Sequence, residues 1–244
     1  RAQLITAFYK SDESRELSAP VRRARAFEYL LRHKTICINR GELIVGERGP
    51  EPKATPTYPE ISLHSVEDLE ILDSRKKVFF KVDEEVKRIY REEIIPYWKG
   101  KSNRDRIMSL MTDEWMKAYR AGVFTEFQEQ RAPGHTVLGG KMFRTGFLKL
   151  KEEIRESLEK LDYYNDFEAF DKSEELKAMD IACDAIIMYA GRHADELERL
   201  ASAETDPKRK NELIAMAAIC RKVPAHAPRS EEHTSELQSR GLIS

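Results

Sequence analysis

Apolar residues return every three to four positions along most of this chain, the spacing that lines one face of a helix. Ala2, Leu4, Ile5 and Phe8 mark a helical remnant at residues 1–10, and residues 11–18 are a polar loop. Pro20 stands where a first helical turn tolerates a missing donor, and Val21, Ala24, Phe27, Leu30 and Leu31 continue as one stripe. Arg22, Arg23, Arg25 and Arg32 lie off that stripe, on a solvated face. Further on, Ser65 with Asp68, Ser102 with Asp105, and Thr112 each precede an apolar-periodic run and predict capped helices. Val82, Val86, Ile89, Tyr90 and Ile94 form another stripe, with Glu84–Arg88 as an i,i+4 ion pair and Pro96 as its end or kink. The longest helices come last. One carries Phe147, Leu150, Ile154, Leu158 and Leu161; the next carries Leu176, Met179, Cys183, Ile187 and Ala190 and extends toward Leu197 and Leu200. Asp206-Pro207 caps a final helix with Leu213, Ala217 and Cys220, expected to lie antiparallel to its predecessor.

Three stretches break the helical period. Thr35-Ile36-Cys37-Ile38 and Leu43-Ile44-Val45-Gly46 flank Asn39-Arg40-Gly41 and read as two short strands or extended segments joined by a turn. Residues 49–59 contain Pro50, Pro52, Pro56 and Pro59, so no regular element persists there, yet Tyr58, Ile61 and Leu63 supply an apolar side. Residues 124–136, Phe-Thr-Glu-Phe-Gln-Glu-Gln-Arg-Ala-Pro-Gly-His-Thr, hold neither period and are broken at Pro133-Gly134. The expected architecture is therefore mainly α with a small β element.

The chain has 244 residues, 41% hydrophobic and 35% charged, enough apolar material for a packed core under a heavily charged exterior. A formal net charge of −1 argues against a nucleic-acid or anionic-membrane partner. No apolar run is long enough to span a bilayer. Cys37, Cys183 and Cys220 are odd in number and widely spaced, the usage of a reduced, cytoplasmic protein rather than a disulfide scaffold. Residues 229–244 resemble the translation of a sequencing-adapter read, so the natural domain is expected to occupy residues 1–228, with its true N-terminus upstream of Arg1.

Candidate chemistry is sparse. No Cys/His cluster has metal-ligand spacing. Residues 134–141 are not a phosphate loop, because Gly140 stands where lysine is required and Met142 follows Lys141. Cys183 and Cys220 fall on apolar stripes and are expected in the core. Cys37 has no electropositive neighbour within two residues. His193 shares a helical face with Glu196 and is expected on the surface, while His226 lies in an extended segment. His135 is the best candidate for ligand contact: Pro133-Gly134 holds it in place and imidazole donates or accepts at neutral pH. Phe127 would supply an apolar wall, and Glu126, Glu129 and Arg131 ion pairs that hold the loop.

At these residues the chain resembles the glycyl radical enzymes of the pyruvate formate-lyase superfamily, within it the branch that dehydrates trans-4-hydroxy-L-proline. The resemblance is carried by Gly41-Glu42-Leu43-Ile44-Val45-Gly46-Glu47, Pro56-Thr57-Tyr58-Pro59-Glu60, Glu92-Glu93-Ile94-Ile95-Pro96, Phe124 through Thr136, Ala178-Met179 with Ile181-Ala182-Cys183-Asp184-Ala185, and Val223-Pro224-Ala225-His226. It implies the N-terminal helical part of a ten-stranded α/β barrel, in which a radical-bearing glycine meets a thiyl cysteine. It implies that Phe127 packs on the substrate ring and His135 hydrogen-bonds near the leaving hydroxyl. It further implies a radical-SAM activase as partner and a homodimer. The departures are clear. The superfamily cysteine follows a glycine and precedes glutamate by two positions; Cys37 follows Ile36, Cys183 follows Ala182 and Cys220 follows Ile219. No Arg-Val-x-Gly-aromatic radical loop occurs, so this chain by itself is expected to bind no cofactor and to be catalytically inactive. The alternatives are a relative acting on another small alcohol or a C–N or C–S substrate, and a non-catalytic helical interaction module.

Overall fold

The computed structural model describes residues 1–54, 56–77, 79–124 and 140–228, with Met142 and Phe143 described in their backbone alone. Its contacts divide into two compact units. The first comprises residues 1–6 and 53–135, the second residues 7–52 and 136–244.

The regular elements are α1 (Ala2–Lys10), α2 (Glu13–Glu16), α3 (Ala19–His33), α4 (Val66–Ser74), α5 (Glu84–Ile89), α6 (Ile95–Trp98), α7 (Asn103–Met108), α8 (Asp113–Arg120), α9 (Lys141–Arg144), α10 (Phe147–Glu159), α11 (Ala169–Ala203) and α12 (Pro207–Lys222). The predicted caps form as read. Ser65 Oγ accepts from Asp68 N at 3.1 Å while Asp68 accepts from Ser65 N, a reciprocal box; Ser102 and Thr112 accept from Asp105 N and Trp115 N. Asp206 accepts from Lys208 N ahead of Pro207.

In the second unit everything is built along α11, a single 35-residue helix. The α3 helix runs parallel to it: Ser18 Oγ donates to Glu174 at one end, Val21 and Ala24 pack with Ala178, and Leu31 packs with Ala185 and Tyr189 at the other. The α10 helix returns antiparallel, with Lys151 between Asp180 and Asp184 at 2.9 and 2.6 Å. The expected antiparallel pairing of the last two helices also holds. Arg221 of α12 reaches back to Asp195 and Glu198, and Leu213, Met216, Ala217 and Cys220 pack on Ala194, Leu197 and Ala201. The small residues on α11 let its partners approach closely.

The expected β element does not form: no strand occurs among the described residues. The apolar alternation of residues 35–46 is real but serves side-chain burial, not pairing. Ile36 packs beside Leu31 and Tyr189, and Ile38 and Val45 pack against the α11–α12 core. Side chains take the place of a ladder. Arg192 donates to the Leu31 and Lys34 carbonyls, Lys34 Nζ to the Glu47 and Arg48 carbonyls, and Glu42 accepts from Asn39 N at 2.8 Å. Gly41 takes φ +74°, which the turn requires.

In the first unit, Pro96 is accommodated rather than breaking the chain. Tyr90–Ile94 widens into a π turn, so that Ile95 N bonds Tyr90 O and the helical path continues past the proline. This widened turn buries Tyr90, Ile94 and Trp98. Trp98 Nε1 donates to Thr6 Oγ1 at 2.8 Å, Tyr90 Oη bonds Thr57 Oγ1, and Arg1 lies over the Tyr58 ring while pairing with Glu60. The proline-rich segment is thus pinned by polar and cation–π contacts. The ion pairs on α5 differ from the expected register: Arg88 bonds Glu85 and Glu92, and Glu84 bonds Lys87. Arg88 has carboxylates on both sides and takes the two that bracket it.

Large apolar side chains remain outside. Tyr164 is 99% and Phe167 96% exposed in the turn between α10 and α11, with Tyr163 and Phe170 beside them. No helix among the described residues is long and apolar enough to cross a membrane.

Candidate functional site

Phe127 and His135, the residues singled out for ligand contact, lie outside the described residues, as do Glu126, Glu129 and Arg131. The segments on either side of them are described, each within its own unit.

On the N-terminal side, α8 leads into the segment. Trp115 and Tyr119, one turn apart, stack at 5.4 Å with 14° between their planes, and Phe124 leans on both at 4.9 and 6.5 Å. Arg104 donates to Tyr119 Oη at 3.0 Å. Gly122, at φ +72°, turns the chain after Arg120, and Val123 N bonds Ala118 O to close the helix. Three rings at this spacing hold Phe124 against α8.

On the C-terminal side, Lys141 pairs with Glu153 of α10. Gly146 then meets the backbone of residues 225–226. Phe147 N donates to Pro224 O at 2.9 Å and Leu148 N to Ala225 O at 3.0 Å. Two amides that a helix start leaves unpaired are therefore satisfied by the segment after α12. The approach is possible because residue 146 has no side chain. His226 itself is exposed, and its amide bonds Lys222 O at 2.8 Å.

The cysteines are poor nucleophiles. Cys183 is buried and desolvation pushes its thiol up to about 11; Cys220 is buried in the α11–α12 core. Cys37 is half-buried, and burial followed by Glu47 and Glu51 raises its pKa against the opposing pull of Lys34. No group of three His, Cys, Asp or Glu side chains is placed to hold a metal ion among the described residues.

His193 departs from the surface reading. It is 1% exposed, and the sequence held the signal: Ala190, Ala194 and Leu197 share its face and are all buried. Glu196, which suggested a wet face, is drawn away by a two-pronged bond to Arg199. Desolvation lowers the His193 pKa from 6.5 to about 4, against the raising effect of its bond to the Tyr189 carbonyl; Lys34 and Arg192 add to the lowering. A histidine that binds its proton less readily when folded stabilises the fold above its unfolded pKa. That stability is lost as pH falls from about 6.5 to about 4. The unfolding free energy from urea titrations is therefore expected to fall over this window by up to about 3 kcal/mol. His193→Gln is expected to flatten that slope.

A family model for pyruvate formate lyase-like proteins matches residues 1–232. The chain belongs to the pyruvate formate lyase-like family. Among curated relatives, this pyruvate formate lyase-like chain is 47% identical over 237 residues to a trans-4-hydroxy-L-proline dehydratase of Clostridioides difficile, covering 97% of this chain and 30% of that protein. It is 32% identical to an isethionate sulfite-lyase of Nitratidesulfovibrio vulgaris, covering 98% of this chain and 30% of that protein. Among solved structures, the hydroxyproline dehydratase of Clostridioides difficile with trans-4-hydroxy-L-proline bound superposes with a TM-score of 0.87 at 46% identity, over 97% of this chain and 30% of that one. The chain thus spans under a third of the length of the relatives it matches.

Proposed function

We propose that this chain is the N-terminal part of a glycyl radical dehydratase whose whole protein removes water from trans-4-hydroxy-L-proline. The observation that carries the reading is the 47% identity to a trans-4-hydroxy-L-proline dehydratase, against 32% to an isethionate sulfite-lyase over a similar span. On this reading the whole protein is a ten-stranded barrel with a glycyl radical installed by a radical-SAM activase, homodimeric and cytoplasmic. Once installed, the radical would supply hydrogen-atom abstraction from the substrate, and the C4 hydroxyl would be lost as water. The work proposed for the present residues is positioning. His135 hydrogen-bonds the substrate near the leaving hydroxyl, and Phe127 packs on its ring.

In the whole protein with its activase, His135→Ala is expected to lower kcat/KM for trans-4-hydroxy-L-proline by about 100-fold. Phe127→Ala is expected to act mainly on KM, because ring packing binds substrate and transition state alike. Wild-type kinetics from both variants would remove the two residues from the pocket.

The present 244 residues alone are expected to be inactive. None of the three cysteines has the glycine before it and the glutamate two positions after it that the thiyl position requires, and Cys183 and Cys220 are committed to helix packing. Hydroxyproline turnover by the purified chain with activase would refute this. The similarity to an isethionate sulfite-lyase favours one second reading, a C–S lyase of the same family. Assaying the extended reading frame on hydroxyproline and isethionate side by side separates the two. A genuine stop codon near Pro228 would instead favour a helical module without chemistry.

A further inference from the structure

Tyr189 and His193 sit one turn apart on α11, with ring centroids 4.4 Å apart and planes at 85°. They are 2% and 1% exposed. The His193 Nδ1 atom lies 3.0 Å from the Tyr189 carbonyl oxygen. A carbonyl oxygen accepts and never donates, so Nδ1 carries the proton and Nε2 presents a bare lone pair. Among the described residues, Nε2 of His193 and Oη of Tyr189 are the buried side-chain polar atoms that find no hydrogen-bond partner. Residues i and i+4 lie on one face of a helix, and the ring contact keeps the two side chains together there.

The chemistry of a partner for them is narrow. Nε2 requires a donor, and Oη takes either role. An anion would meet the Nε2 lone pair and is excluded. A cation is disfavoured because two are already there: Lys34 Nζ stands 5.1 Å from the Tyr189 ring centroid, and Arg192 is fixed on the Leu31 and Lys34 carbonyls. The carboxylate whose charge reaches Tyr189, that of Glu47, accepts from Arg48 N at 2.8 Å. The two orphaned atoms are sealed from the surface, so the occupant is small. A neutral molecule that donates and accepts at once, and fits a closed interior, is water.

We propose that Tyr189 Oη and His193 Nε2 jointly hold one internal water, which donates to Nε2 and accepts from Oη. This water extends the polar contacts of Lys34 and Arg192 along α11, where the end of α3 and residues 35–48 dock.

The test is Tyr189→Phe in the full chain, followed by thermal unfolding. Removing a hydroxyl that holds a shared water lowers the midpoint, by about 2–4 °C for a chain of this size. A midpoint unchanged or raised is the result for an unpaired hydroxyl in a dry site, and it overturns the proposal. A crystal structure supplies the second measurement. A density peak within about 3.2 Å of both atoms supports the site; a dry site, or a direct Oη–Nε2 bond, overturns it.

Discussion

Replacing Gly146 by alanine is expected to cost about 3 kcal/mol and to lower the unfolding midpoint by about 6–12 °C. The β-carbon would stand 2.4 Å from Ala225 O and equally close to His226 Cα and C. These are backbone atoms, so no side-chain tip can swing aside. Both walls of the contact are also tied: Phe147 N and Leu148 N bond Pro224 O and Ala225 O, and His226 N bonds Lys222 O. Relief requires giving up bonds at the start of α10 or after the end of α12. Gly191, in the middle of α11, is the matched control. An added methyl there meets nothing nearer than Arg221 Nη1 at 4.0 Å. Gly191→Ala is expected to gain up to about 1 kcal/mol through helix propensity. Chemical denaturation of both variants checks the pair; a Gly146→Ala chain as stable as wild type would show the walls to be softer than their hydrogen bonds imply.

Leu197→Ala is expected to cost about 4–5 kcal/mol, the upper end for this substitution. Leu197 is 0% exposed and touches a core built from α11, α12 and Val45. The cost depends on whether neighbours can fill the space left behind. Here Ala194, Ala201 and Ala217 are too short to reach in, which leaves Leu213 and Met216 as the long side chains of the cluster. Leu200, partly buried at the edge of the same cluster, is expected to lose less on the same change. Denaturant midpoints at a constant slope distinguish a cavity from a change of fold.

The helices were legible because capping and periodicity are local. Ser65, Thr112 and Asp206 each act within three residues, so their spacing alone carries the information. The segment at residues 35–46 misled because alternating burial looks the same whether the backbone pairs with a strand or is held by Arg192 and Lys34 from elsewhere in the chain. His193 misled because Glu196 was weighed above the three apolar neighbours on its own face. The exchange of partners at Arg88 reflects how little separates competing surface ion pairs. Phe127 and His135, read from the Pro133-Gly134 break and from resemblance, lie outside the described residues, and their part in a site is a proposal. Loop side chains take their roles from what faces them, and a chain spanning 30% of its relatives carries few of those opposing groups.

The length of α11 has a consequence for biosynthesis. The apolar stripe of α3 is complete once His33 has been made, but the surface it covers begins at Ala169. At about 5–20 residues per second the ribosome needs about 7–27 s to bridge that gap. During this interval Val21, Ala24 and Leu31 have no native surface to lean on, which makes the nascent chain a natural client for holding chaperones.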